Sequence, residues 1–224
     1  MALIETIQLK KTYTTGNNVR TDALRGVSLQ IAEGEFLAIA GPSGSGKSSL
    51  LNLMGALDTP TSGTVLLDNQ NISEINSQDL AAFRLHHIGF IFQAYNLINT
   101  LTAVENVEYV MLLQGVDQHT RESRSEAILE RVGLADYMNR FPHEMSGGQQ
   151  QRIAVARAMA AEPRVVLADE PTANLDSKTA QELLDLMAEL NREKGITFVF
   201  STHDRLIMER AQRLITLKDG VIIP

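Results

Sequence analysis

The chain has 224 residues, 44% of them hydrophobic, enough to bury a sizeable core and too apolar for wholesale disorder. Its formal net charge of −7, from 27 acidic against 20 basic residues, comes with no basic cluster, which argues against a partner gripped through a nucleic-acid backbone. There is no cysteine, so disulfides, thiolate metal sites, iron–sulfur ligation and cysteine nucleophiles are all excluded.

Two strand-like runs, at 4–9 and 24–31, open the chain and flank a polar loop, TTGNNVRTD. The first residues alternate like a strand and lack the basic start and apolar run of a secretory signal, so none is expected. A continuous apolar strand at 36–40 leads directly into Gly41. An amphipathic helix follows, with Leu50, Leu51, Leu53 and Met54 toward a core, and then a strand at 64–67 after the turn TPTSG. From 77 to 161 helical periodicity dominates, apart from a strand at 88–92. Strands return at 165–168 and 197–200, and between them Ala180, Leu183, Leu184, Met187 and Leu190 trace one helix face. This order predicts an α/β core on a parallel sheet, interrupted by a helical insertion. The charged stretch RESRSE at 121–126 reads as a solvated helix face. No run approaches the roughly 18 consecutive apolar residues that span a bilayer, so a membrane role has to come through a partner.

Three segments carry chemistry. Gly41, Pro42, Ser43, Gly44, Ser45, Gly46, Lys47 and Ser48 match G-x-x-x-x-G-K-[ST] at every fixed position. The glycines let successive N–H groups point inward around an anion, and the helix that starts there adds its positive end. Lys47 supplies a mobile charge for β- and γ-phosphates, and the Ser48 hydroxyl can take one position on Mg²⁺. These features predict a nucleoside triphosphate site. Further on, Val165 to Ala168 form an apolar strand that ends in Asp169 and Glu170, at the sheet edge where open α/β sheets bind ligands. Alternation along the strand gives the two acids different jobs: Asp169 toward Mg²⁺, Glu170 as general base for an attacking water. Read alone, the pair could equally be surface acids closing a strand. Finally Ser146, Gly147, Gly148 and Gln149 open an apolar-periodic helix, a start that suits a phosphate or, read alone, a plain N-cap.

The order of these segments is informative. The phosphate loop, Gln93, SGGQ, ADEP, Asn174-Leu175-Asp176 and His203 follow one another as in the ATP-binding cassette (ABC) ATPases, which the chain resembles over essentially its whole length. The resemblance implies a P-loop NTPase core with a mainly parallel sheet, an N-terminal antiparallel β subdomain and an inserted helical subdomain. It implies one domain over 1–224, with 1–93 and 162–224 forming the nucleotide-binding core and about 94–161 the helical part that carries SGGQ. ATP and Mg²⁺ are the implied cofactors. Two copies would stack head to tail, with Ser146, Gly147, Gly148 and Gln149 of one meeting the γ-phosphate held by Lys47 of the other. Gln93 is similar to the lid glutamine that meets Mg²⁺ and senses a membrane partner. His203 is similar to the switch histidine that touches the γ-phosphate, Asp176 to the residue that couples the two sites, and Tyr13 to the aromatic platform under adenine. Ser49 stands beside Ser48 where threonine is common, and Met145 stands where leucine usually precedes SGGQ.

The finer resemblance, carried by ALRGVSLQI, GPSGSGKSSLLNLMGALDTPTSG and IGFIFQAYNLI, is to the ATPases of lipoprotein-releasing and macrolide-efflux exporters. It implies an ATPase subunit on the cytoplasmic face of the cell membrane, docked on an integral-membrane permease and ending at Pro224 without a regulatory domain. A non-transport machine of the cell-division or iron–sulfur assembly type is the alternative.

Overall fold

The structure, a computed structural model, describes residues 2–14, 16 and 19–223, with the backbone alone at 77. Part of the expected polar loop (Thr15, Asn17 and Asn18) and the terminal Met1 and Pro224 lie outside the described residues. In chain order the strands are β1 (Ala2–Thr14), β2 (Arg20–Ala32), β3 (Phe36–Ala40), β4 (Ser62–Leu67), β5 (Gln70–Asn71), β6 (Ile88–Ile91), β7 (Val165–Asp169), β8 (Thr197–Thr202), β9 (Arg213–Lys218) and β10 (Val221–Ile223). The helices are α1 (Lys47–Met54), α2 (Ser77–His87), α3 (Ala103–Leu113), α4 (Gln118–Arg131), α5 (Gly147–Ala160), α6 (Ser177–Lys194) and α7 (Arg205–Arg210).

Among the described residues the strands form two sheets. The first, β2-β1-β4-β5, is antiparallel throughout. The second, β10-β9-β3-β8-β7-β6, is parallel except for β10 at its edge. The expected α/β architecture, with its mainly parallel sheet, N-terminal antiparallel sheet and helical insertion, is what the chain adopts.

β3 lies inside the second sheet, between β8 and β9, and all five of its residues are buried. Phe36 and Ala38 belong to one core with α3, α5 and α6, whereas Leu37 and Ile39 belong to the other with α1 and the first sheet. A strand covered on both faces has no solvent side to encode, which is why 36–40 reads as an unbroken apolar run. The same sheet brings the carboxyl ends of β3, β7 and β8 to one edge, where Gly41, Glu170 and His203 follow directly.

The helical expectation for 77–161 is too broad. Residues 92–102 and 132–146 are irregular, apart from short 3₁₀ turns at Ala135–Tyr137 and Pro142–Glu144. The buried Asn106 explains the first break: its amide donates to the carbonyls of Ile98, Leu101 and Thr102 at 3.1, 3.0 and 2.9 Å and accepts from Ile98 N at 2.8 Å. One side chain thus replaces a turn of helical bonding. The RESRSE stretch is only partly solvated, because Ser125 is buried and Arg121 turns inward to Val116 O at 2.7 Å. No helix of the described residues is long and apolar enough to cross a membrane.

Asn191, buried near the end of α6, donates to Gly34 O at 2.9 Å and to Ile196 O at 2.7 Å, fixing the turn before β3 to the start of β8. Asn191→Ala leaves two interior carbonyls unpaired and should lower stability by about 2–3 kcal/mol, read from the midpoint of a urea unfolding curve.

Candidate functional site

The edge above β3, β7 and β8 opens into a cleft of about 690 Å³. Its floor is the loop from Gly41 to Ser48. Lys47, 8% exposed, curls back so that Nζ donates to the carbonyls of Gly41 and Pro42 at 2.8 and 3.1 Å. Gly46 precedes α1 with φ of 103° and no side chain caps the helix, so the first amides keep their hydrogens for an anion. A Cβ at Gly46 would stand 2.4 Å from Ala23 O on β2, so the loop can close against the antiparallel sheet only with glycine there. Ser43 and Gly44 line the cleft, whereas Ser45 is buried beneath it.

Asp169, the last residue of β7, and Glu170, which follows it, take different partners, and not by pleat alternation alone. Asp169 accepts the Ser48 hydroxyl at 3.1 Å. Glu170 leaves the strand with φ of 48°, its N–H donating to Ser201 O at 2.9 Å. This left-handed backbone is uncommon for a residue with a side chain and is held by its surroundings. The turn aims the Glu170 carboxylate at His203 Nδ1, 2.9 Å away. A carboxylate only accepts, so this contact puts a hydrogen on Nδ1 and leaves Nε2 for a ligand. Glu170 is 15% exposed and His203 72%, an acid sheltered by a histidine at the mouth. The loops after β7 and β8 are bolted together further back, where Thr172 donates its hydroxyl to Asp204 at 2.7 Å.

Gln93 lines this cleft from the loop after β6, and Tyr13 lines it from the end of β1. Ser49 also lines it, with its hydroxyl 3.4 Å from that of Tyr13. Ser146 to Gln149 and Asp176 do not: they line a separate cleft of about 320 Å³ together with Asn174. There Ser146 caps α5, accepting from Gln149 N at 3.3 Å, while the Gln149 side chain accepts from Ser146 N at 2.9 Å. Asp176 caps α6, taking the Thr179 hydroxyl at 2.6 Å. That hydroxyl and the Thr179 amide hold the Asp176 carboxyl below the ordinary carboxylate range.

The two clefts are joined by contacts that motif spacing does not reveal. Asn174 donates to Gln93 O at 2.9 Å. Arg157, ten residues into the helix that Ser146 caps, donates to the carbonyls of Tyr95 and Asn96 at 2.9 and 2.6 Å. Both of those residues have left-handed backbones. Burial pushes the Arg157 guanidinium below its usual value, a cost offset by its bonds to these two carbonyls. Tyr95 also packs on the start of the same helix, where a Cβ at Gly147 would stand 2.8 Å from its hydroxyl. The Gln93–Asn96 loop is therefore held by both ends of α5. No pattern of residue types marks Arg157, Thr172 or Asp204, and the motif that contains Asn174 does not tell that its amide meets the Gln93 carbonyl.

The profile of the ABC transporter family matches residues 24–173. The chain is 46% identical to the lipoprotein-releasing system ATP-binding protein LolD 1 of Rhodopseudomonas palustris, over 96% of this chain and 95% of that protein. It is 44% identical to the macrolide export ATP-binding/permease protein MacB of Syntrophobacter fumaroxidans, over 100% of this chain and 32% of that protein. Among solved structures it resembles the dimeric post-hydrolysis state of the ATP-binding cassette MJ0796 bound to ADP and Pi. That likeness has a TM-score of 0.92 and 42% identity, covering 99% of this chain and 97% of the other.

Arg157→Met removes both charge-assisted bonds to the loop. Stability should fall by about 2–4 kcal/mol, and amide exchange should quicken selectively over residues 93–98. An unchanged exchange pattern there would mean that the guanidinium does not hold the loop.

Proposed function

The chain belongs to the ABC transporter family and is an ATP-binding, ATP-hydrolysing subunit, and from this we propose how its residues divide the work. Lys47 and the free backbone N–H groups of the loop that ends at Ser48 hold the phosphate chain of ATP, and Tyr13 carries the base. Ser48, Asp169 and Gln93 offer a hydroxyl, a carboxylate and an amide oxygen, the hard donors that suit Mg²⁺. The Ser48–Asp169 contact of 3.1 Å brings two of them together. Bound there, Mg²⁺ would neutralise phosphate charge. Glu170 takes the proton of a water as its oxygen bonds to the γ-phosphorus and the bond to the bridging oxygen breaks, releasing ADP and phosphate. His203 orients that carboxylate and presents Nε2 to the γ-phosphate. The observation that carries this reading is the sheltered Glu170–His203 pair, 2.9 Å apart, in the same cleft as Lys47.

Ser146, Gly147 and Gly148 open onto a different cleft from Lys47, so one chain presents two half-sites. A second copy placed head to tail would complete both. The dimeric cassette to which this chain is similar supports that arrangement. In this reading residues 1–224 act as one cassette. Residues 1–93 and 162–224 supply Lys47 and Glu170, and about 94–161 supplies the SGGQ start of α5.

The partner that receives the stroke is an integral-membrane permease, which would place the subunit on the cytoplasmic face of the membrane. An apolar groove of about 440 Å³, with Leu57, Tyr109 and Leu113 exposed and Phe90 and Phe92 stacked, suits an apolar-tipped segment of that partner. Asn96 and Arg157 line the same groove, continuing it into the loop that carries Gln93. The relative named as an ATP-binding/permease protein joins the two functions in one chain.

Glu170→Gln should leave ATP binding intact, trap an ATP-bound dimer and lower turnover by roughly 10²–10⁴-fold. Hydrolysis at the original rate would remove Glu170 from the role of base. The shared sites are tested by mixing Ser146→Glu with Lys47→Ala subunits, both in the Glu170→Gln background. Head-to-tail sharing leaves one composite site per mixed dimer without either lesion, so mixing should restore trapped ATP that neither variant holds alone. If Lys47 and Ser146 of the same chain met one nucleotide, every site would carry a lesion and mixing would restore none.

A further inference from the structure

Tyr13 is held by more than its place on β1. Its hydroxyl donates to Asp58 Oδ2 at 3.0 Å. The other oxygen of Asp58 accepts from Lys11 Nζ at 2.6 Å and from Thr59 N at 2.7 Å. Lys11 also donates to Thr59 O at 2.8 Å, and its ammonium stands 4.9 Å from the centroid of the Tyr13 ring. Lys11 and Tyr13 are two residues apart on a strand and so lie on one face of it. Asp58 follows α1 by four residues, so the ring is tied to the segment that leaves the phosphate-loop helix. The Lys11–Asp58 pair is not a loose surface contact, since the two side chains are 12% and 29% exposed. Burial would raise the Asp58 carboxyl, but the bonds from Lys11, the Thr59 amide and Tyr13, with the Lys11 charge, hold it below its usual value.

We propose that Asp58 and Lys11 are positioning residues for the nucleobase: Asp58 fixes the Tyr13 ring by its hydroxyl, and Lys11 closes one face of the ring, so that the base meets a single preformed platform. The proposal rests on the reading that Tyr13 carries the base. An aromatic ring free to turn about its side-chain bonds must be immobilised when a base stacks on it, and the anchor removes that cost in advance. Lys11 neutralises Asp58 while its ammonium sits over the electron-rich ring face. Neither residue touches the reacting phosphates in this arrangement, so the effect belongs to substrate binding rather than to the chemical step.

The test is steady-state ATPase kinetics of the full chain with Tyr13→Phe, Asp58→Ala and the double variant. Each single change should raise KM for ATP about three- to tenfold, with kcat moving by less than about twofold. The double variant should be no worse than Asp58→Ala alone, because Tyr13→Phe removes only a bond that Asp58→Ala has already removed. Fully additive singles, or an unchanged KM in Tyr13→Phe, would overturn the anchor. Tyr13→Phe keeps the ring and the strand residue, so it decides the matter even if Asp58→Ala does not fold. Tyr13→Ala separates the two levels. If it leaves KM unchanged, the platform reading itself fails. If it raises KM while Tyr13→Phe and Asp58→Ala do not, the platform stands and the anchoring by Asp58 and Lys11 is refuted.

Discussion

Lys47 donates to the carbonyls of Gly41 and Pro42 at 2.8 and 3.1 Å, and much of the molecule serves to keep that ammonium inside its own loop. The chain carries a net charge of −7, so its overall field opposes a triphosphate. Attraction has to come from groups within contact range, where screening by salt and by distant acids is weakest. The loop concentrates them: the Lys47 charge and a helix start whose first amides have no side-chain cap. A buried strand supplies the rigidity, since β3 is covered on both faces and cannot shift without disturbing two cores. The close approach of Ala23 O to Gly46 then presses the loop from the other sheet.

Glu170 and His203 hang on the same frame. β7 and β8 are in parallel register with Asp169 opposite Ser201, so Glu170 and His203 leave adjacent strands side by side. The left-handed turn at Glu170 converts that adjacency into a 2.9 Å contact. The helical insertion contributes through α5, whose start presents Ser146 to Gly148 and whose later turns hold Tyr95 and Asn96 through Arg157. A displacement of α5 would therefore move both the Ser146–Gly148 helix start and the loop that carries Gln93. That is a mechanical link built from hydrogen bonds to backbone rather than from side-chain motifs.

Much of this fold is legible in the residues alone. Strand 36–40 is readable because a doubly covered strand is apolar at every position, and the helix at 177–194 because its buried residues recur with helical period. The irregular stretches at 92–102 and 132–146 are not, since Asn106 and the 3₁₀ turns replace helical bonding without disturbing the apolar spacing. The last two strands, β9 and β10, and the short α7 also leave too little trace to be recognised. β9 buries only Leu217 outright and α7 only Ile207, too little to stand out from a loop. The RESRSE stretch misleads in a small way, because polarity on a helix does not tell that Ser125 packs inward.

What the sequence determined by itself was the chemistry: a phosphate loop, an acid pair closing a strand and a second glycine-rich helix start, each a local arrangement of residue types with a local physical reason. What only the tertiary structure decided was which of them share a site. Ser43, Gly44, Gly46, Lys47, Ser48, Glu170, Gln93, His203 and Tyr13 line one cleft, with Asp169 reaching it through the Ser48 hydroxyl, whereas Ser146 to Gln149 and Asp176 line another. The groups that hold them there, Arg157 on two carbonyls and Asp58 on the Tyr13 hydroxyl, act across long sequence separations on partners that strand order brings near. Hydrogen bonding to backbone or to a distant hydroxyl leaves no periodicity and no fixed spacing, so the chain order alone does not record it.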